Sequence, residues 1–331
     1  MVSAVAFVVP SKGAPFQQVT VKLNELQPSE VLVELKATGI CHTDLAVQQG
    51  RIPVPFPVIL GHEGAGIVLA VGTEVVDIRK GDHVILSYNH CGSCHSCWLG
   101  RTWHCSKIHA MNFGGQRPDG SQTAHSESGP LHSCFFGQSS FCNPAVVQSA
   151  SCVKVNPELP LSVICALGCG SQTGAGSVFN VVKPVERKVR HLAIFGAGGV
   201  GFAALMAAVH LANENPGVLE AIIAVDVNDE RLELAKELGA THIINLLDDR
   251  IVSLFDGSNV TIPEGTEEIN IAGKIIRPGF VDTHRHSWET AFKTIASNTS
   301  LSEYFVRYSE FPSQDKFTAE DVYIGQLAGL L

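Results

Sequence analysis

Short apolar runs, four to seven residues long, fill the first half of the chain. Val31-Leu-Val-Glu-Leu, Gly66-Ile-Val-Leu-Ala-Val-Gly and His83-Val-Ile-Leu-Ser are separated by Gly and Pro. Such runs, bounded by turn residues, predict short β-strands. From Val2 to about Pro157 they predict one compact β-rich domain. Near Gly168 the pattern changes. A helical stretch from Thr173 to Val182 leads to an apolar strand, His191-Leu-Ala-Ile-Phe, then to a cluster of glycines and an apolar helix. Ala221-Ile-Ile-Ala-Val-Asp is the next strand, Glu230–Leu238 a charged amphipathic helix, and Thr241-His-Ile-Ile-Asn a third strand. Strands alternating with helices imply a parallel sheet. At about Leu247 this pattern stops. The chain therefore reads as α/β with a β-rich domain, divided at 1–168, 169–247 and 248–331.

Composition narrows the class. The chain has 331 residues, 45% of them apolar and 17% charged, which describes a globular protein with a buried core. The net charge is −9, from 23 Lys and Arg against 32 Asp and Glu. That balance argues against a nucleic-acid partner. The basic cluster Lys183–Arg190 contains Glu186 and reads as a solvated linker. The apolar N-terminus lacks the basic segment of a signal peptide and reads as an opening strand. Leu192–Asn213 is uncharged and long enough to span a bilayer, but its glycines fit a strand–loop–helix better. No membrane partner and a reducing, cytoplasmic location are expected.

Ten cysteines are few for a disulfide scaffold, and they are unevenly placed. Cys91, Cys94, Cys97 and Cys105 fall within fifteen residues. Four thiolates from one loop can complete the tetrahedral shell of a structural zinc ion. His90, His95 and His104 stand close by as competing ligands.

The glycines carry a second motif. Gly196-Ala-Gly198-Gly199-Val-Gly201 follows a strand and opens a helix, where a pyrophosphate can meet backbone N–H groups and the positive end of a helix. Asp226 ends the next strand, placed to accept ribose hydroxyls and to repel a 2′-phosphate, so NAD is expected rather than NADP. Arg231 acts against that exclusion. The 30 residues from Gly196 to Asp226 exceed the usual spacing of about 20. The surplus is assigned to a turn at Asn213-Glu-Asn-Pro-Gly.

Gly39-Ile-Cys-His-Thr-Asp, Gly61-His-Glu-Gly-Ala-Gly, the four-cysteine lobe, Gly168-Cys-Gly and the glycine turn occur in this order. Together they resemble the zinc-dependent medium-chain alcohol dehydrogenases, in particular the aryl- and benzyl-alcohol branch, over residues 1 to about 245. The resemblance implies a GroES-like catalytic domain followed by a Rossmann domain. It implies that Cys41, His62 and Cys169 hold a catalytic zinc, with Asp44 orienting His62 and Glu63 behind the metal. It implies that Thr43 passes the alcohol proton away, that His42 contacts the pyrophosphate and that Thr173 contacts the nicotinamide. Many members end the proton relay on a histidine where this chain has Ala46; here the relay would end at Thr43, the ribose or water.

After Asn245 the second half of a Rossmann domain, with the usual dimer edge, is expected to be missing. Ile271-Ala-Gly-Lys-Ile-Ile-Arg-Pro-Gly-Phe-Val-Asp-Thr-His-Arg-His instead resembles the entry to an amidohydrolase barrel, with His284 and His286 alternating on one strand face. This makes 248–331 a truncated amidohydrolase-like segment and the whole a fusion of two incomplete enzymes. The main expectation is hydride transfer between a primary alcohol or aldehyde, aromatic ones included, and NAD, with one catalytic and one structural Zn2+. Two alternatives stay open: an inactive zinc-binding fusion product, and a metal-dependent amidohydrolase.

Overall fold

The computed structural model describes residues 2–246. The amidohydrolase-like reading of 248–331, including His284 and His286, lies outside the described residues. The described residues form two compact units that divide between Gln172 and Thr173.

The first unit contains β1 (Val2–Val9), β2 (Gln17–Leu23), β3 (Glu30–Thr38), α1 (His42–Gln48), β4 (Val58–Ile59), β5 (Gly64–Val71) and β6 (His83–Leu86). The short helices α2 (His95–Trp98) and α3 (Ile108–Phe113) follow, then β7 (Ala124–Ser126), β8 (Gly129–Leu131), β9 (Cys142–Asn143), β10 (Ala145–Gln148), β11 (Cys152–Val155) and α4 (Leu161–Ile164). One sheet runs β4-β1-β2-β7-β8 with β9 on β1, and another runs β10-β3-β5-β6-β11. All the pairings between these strands are antiparallel.

The two-residue period of a strand explains which side chains reach the core. Along β1, Ala4, Ala6 and Val8 are buried while Val5 and Phe7 are exposed. The buried set joins Val31, Val33, Val84, Leu86 and Val147 in one cluster. A buried ion pair ties β3 to the approach to β7. Arg117 donates from Nε and Nη2 to the two oxygens of Glu30, each at 2.7 Å. Gln148 Nε2 and the Gln27 amide also donate to Glu30, both at 2.8 Å, so the buried charge keeps its full set of partners.

The second unit is a β-α-β-α-β run. β12 (His191–Phe195), β13 (Ala221–Asp226) and β14 (His242–Asn245) form a parallel sheet in the order β12-β13-β14. Its chain passes through α5 (Gly170–Gly176, which begins in the first unit), a π-helical turn at Ser177–Val182 and α6 (Pro184–Arg187), and later α7 (Gly199–Glu214) and α8 (Asp229–Glu237). Leu205 and Ala208 of α7 and Leu232 and Ala235 of α8 bury against Ile222 and Ala224 of β13.

Two local expectations change. The helix expected over Thr173–Val182 is broken at Ser177 into α5 and the π-helical turn. Helix α7 runs through Asn213 and Glu214, so the surplus residues lengthen the helix and the turn begins only at Asn215. Among the described residues no helix is long and apolar enough to cross a membrane.

Candidate active site and metal centres

Two groups of side chains bring ligand atoms within 4.8 Å of one another: Cys91, Cys94, Cys97 and Cys105, and Cys41, His62, Glu63 and Cys169. The first group is local. Its chain folds into α2 and a single turn at Thr102–His104, bent so that the Cys91 and Lys107 amides each donate to Cys105 Sγ at 3.4 Å. Backbone N–H groups of Cys97 and Ser106 lower the Cys94 thiol to about 5. Burial, helped by Cys94, raises Cys97 to about 12. His95 and His104 sit in the same lobe, but four sulfurs make the close cluster.

The second group is assembled by the fold. Cys41 precedes α1, His62 and Glu63 precede β5, and Cys169 precedes α5. Asp44, fully buried on the first turn of α1, joins them. Its Oδ1 accepts from the Gly61 amide at 3.0 Å and lies 3.1 Å from His62 Nδ1, and its Oδ2 accepts from the Cys41 amide at 3.1 Å. That leaves His62 Nε2 buried without a partner, among the ligand atoms of Cys41, Glu63 and Cys169. A buried ring nitrogen with no hydrogen bond, whose opposite nitrogen is held by a carboxylate, has the arrangement of a metal ligand. The two thiols and the imidazole suit zinc.

The electrostatics follow from this packing. A hydrogen bond from Cys169, opposed by burial and reinforced by His62, lowers Cys41 to about 3. Cys169 rises, because its proton serves Cys41 and because it is buried. Burial pulls the His62 imidazole down, but the Asp44 carboxylate at Nδ1 and the negative charge on Cys41 outweigh it and leave it at about 9. Glu63 is raised by burial and by the nearby Cys41 charge.

Thr43 Oγ1 lies 3.6 Å from Cys41 Sγ, at the edge of the cluster. His42 is exposed at the start of α1, and Thr173 is exposed on α5. In the second unit Gly196 turns with φ +92°, and a Cβ on Gly201 would overlap the Gly196 carbonyl oxygen. Gly198 and Gly199 form the start of α7. Asp226 carries more than a ribose acceptor would. Its Oδ2 accepts from the Ala197 amide at 2.6 Å, and its Oδ1 accepts from the Val227 and Asn228 amides at 2.8 and 3.0 Å. Arg231 is exposed in the first turn of α8, and its amide is capped by Asn228 Oδ1 at 3.1 Å.

Several supporting residues carry no signal in the sequence. Gln138 Nε2 donates to the carbonyls of His62 and Ser87, both at 3.0 Å, and its Oε1 accepts from Gly64 at 3.1 Å. Phe136 stacks on the His62 ring with centroids 4.5 Å apart, and Phe135 meets it edge-on at 5.5 Å. Gln172 Nε2 and Ser87 Oγ both donate to the Gly168 carbonyl, at 2.6 and 3.0 Å, and so fix the approach to Cys169.

Known proteins resemble about three quarters of this chain. Residues 27–157 match the alcohol dehydrogenase GroES-like domain. The geraniol dehydrogenase of Castellaniella defragrans is 41% identical over 247 residues, which are 74% of this chain and 63% of that relative. An S-(hydroxymethyl)glutathione dehydrogenase of Synechocystis is 41% identical over 245 residues, 73% of this chain and 63% of that relative. Among solved structures, an alcohol dehydrogenase zinc-binding domain protein from Burkholderia ambifaria superposes with TM-score 0.70 and 44% identity, covering 76% of this chain and 66% of that one. Benzyl alcohol dehydrogenase from Acinetobacter calcoaceticus gives 0.69 and 41%, with the same coverage. The chain thus spans 63% of the length of these curated relatives.

Proposed function

Because its first 245 residues or so belong to the zinc-dependent medium-chain alcohol dehydrogenase family, we propose that this chain is a zinc- and NAD-dependent dehydrogenase of primary alcohols. The observation that carries the reading is the buried His62 Nε2, which has no hydrogen-bond partner and faces Cys41 and Cys169. The geraniol and benzyl alcohol specificities of the relatives support a primary, apolar or aromatic alcohol as substrate.

Cys41, His62 and Cys169 would hold the catalytic zinc and leave one position for substrate. When bound, the metal supplies Lewis acidity that lowers the alcohol pKa, and the nicotinamide accepts the hydride. The chain's own residues do the rest. Asp44 fixes the His62 ring and its tautomer. Thr43 carries the alcohol proton outward from beside Cys41. Glu63, with an oxygen within 4.8 Å of these ligand atoms, would stand behind the metal as a reserve donor. The glycine turn at Gly196, Gly198, Gly199 and Gly201 would receive the pyrophosphate, with His42 and Thr173 as further cofactor contacts. Asp226 would read the ribose, with Arg231 beside it, while it also anchors the turn through Ala197. Cys91, Cys94, Cys97 and Cys105 would hold a structural zinc.

The GroES-like domain is assigned to 1–168 and the nucleotide-binding part of a Rossmann domain to 169–247. All ten cysteines are unbridged, which supports a reducing compartment such as the cytoplasm. The decisive experiment titrates zinc-loaded protein with NADH and follows fluorescence. Saturation in the micromolar range, weakened in Asp226→Ala, is the expected result. Absence of binding at millimolar NADH by folded, zinc-loaded protein overturns the dehydrogenase reading.

A further inference from the structure

Gly39 follows the end of β3, two residues before Cys41, and its amide donates to the Glu63 carbonyl at 3.0 Å. A Cβ built on Gly39 would overlap Glu63 Oε2 and would lie 3.1 Å from both Cβ and Cδ of Glu63. Its backbone is outside the left-handed region, so no turn requires a glycine here. What the missing side chain supplies is space, and the Glu63 carboxylate fills it. That same carboxylate has an oxygen within 4.8 Å of the ligand atoms of Cys41, His62 and Cys169.

We propose that Gly39 is a positioning residue that lets the Glu63 carboxylate stand aside from the metal position instead of closing it, an inference that rests on the reading of Cys41, His62 and Cys169 as zinc ligands. Three protein ligands leave a tetrahedral ion one position for substrate. A carboxylate lodged over residue 39 stays off that position, and a methyl group at residue 39 removes the seat. The atom it overlaps is the free end of a flexible side chain, so the carboxylate moves, while Glu63 Cβ has to give by only a few tenths of an ångström. On its other sides lie the ligand atoms of Cys41, His62 and Cys169, and a hydrogen bond from the Gly170 amide draws the carboxylate toward Cys169. The displaced carboxylate therefore goes to the metal and becomes its fourth protein ligand.

The test uses the full chain with Co2+ in place of zinc and follows the visible absorption of the bound ion while azide is added. A four-thiolate site is closed and gives no response, so only a site with an open position reports. The wild-type spectrum is expected to change with azide. Gly39→Ala is expected to hold as much cobalt but to bind azide about tenfold to a hundredfold more weakly. Adding Glu63→Ala to Gly39→Ala is expected to restore azide binding. Wild-type azide affinity in Gly39→Ala, or failure of the double variant to recover it, overturns the proposal and leaves the metal site standing. Loss of cobalt from Gly39→Ala that the second substitution does not restore overturns it as well. A wild-type chain with no azide-sensitive cobalt brings down the metal reading and this one together.

Discussion

The two clusters of ligands are built in opposite ways. Cys91–Cys105 is a short loop whose large apolar side chains face outward: Trp98 is 75% exposed, Leu99 57% and Trp103 60%. Burial of those side chains cannot hold the loop closed. The cluster of Cys41, His62, Glu63 and Cys169 draws on segments more than a hundred residues apart, and most of its frame is buried. Asp44, Gln138, Ser87 and Gln172 hold it through hydrogen bonds that need no ion. In the lobe a metal would make the structure, whereas at the buried site the structure makes a place for a metal.

The strongest way to break this contrast is to remove one ligand from the lobe. Cys97→Ser is expected to lose one zinc per chain and to destabilise the protein by about 4 kcal/mol or more, since loss of a structural metal belongs to the few changes of that size. Thermal unfolding and zinc content measured together are the check. Cys169→Ala should also lose one zinc, but with a much smaller fall in melting temperature. Equal falls in the two variants would end the distinction.

The same contrast explains what could be read from the chain alone. The lobe was legible because its four cysteines are neighbours and their spacing carries the chemistry. The parallel sheet was legible because apolar strands alternate with helical periods from His191 to Asn245. Cys41, His62 and Cys169 became readable only through their flanking motifs, since a lone Cys or His carries no chemistry by itself. Gln138 and Phe136 were not legible at all. They lie in a loop where Cys134, Phe136 and Ser139 adopt φ of +64°, +52° and +47°, a shape imposed by what packs around His62 and not by local preference. Asp226 was legible as an acidic strand end, but its bond to the Ala197 amide depends on how the glycine turn folds back. The break at Ser177 leaves no mark in a helical pattern.

A pH titration of metal-free protein sharpens the comparison at the next level. The His62 pKa is raised from the ordinary 6.5 to about 9. A raised pKa means that the protonated ring stabilises the fold fully below about 6.5 and that this contribution is lost as pH rises through about 9. The loss is on the order of 3 kcal/mol, read as a falling urea midpoint between pH 6 and 10. Zinc at the buried site needs the neutral ring, so loading it at pH 7 should release a proton and remove this slope. A slope that persists in zinc-loaded protein would mean that His62 is not a ligand.

The finest test leaves every ligand in place and changes only the support. Asp44→Asn keeps the shape of the side chain but turns one of its two acceptor oxygens into a donor. Asp44 now serves the Gly61 amide, the Cys41 amide and His62 Nδ1 together, so one of these contacts must become donor against donor. The buried group left unmatched costs about 1–3 kcal/mol. The His62 ring also loses the charge that fixes its tautomer, and zinc affinity at that site should fall about tenfold to a hundredfold. The lobe should notice nothing, because none of its ligands bonds to Asp44. Competition with a chelator should therefore show one zinc ion leaving more readily and the other unchanged. If both ions loosen together, the two sites are coupled through the β-rich unit, and the buried frame is no longer independent of the loop beside it.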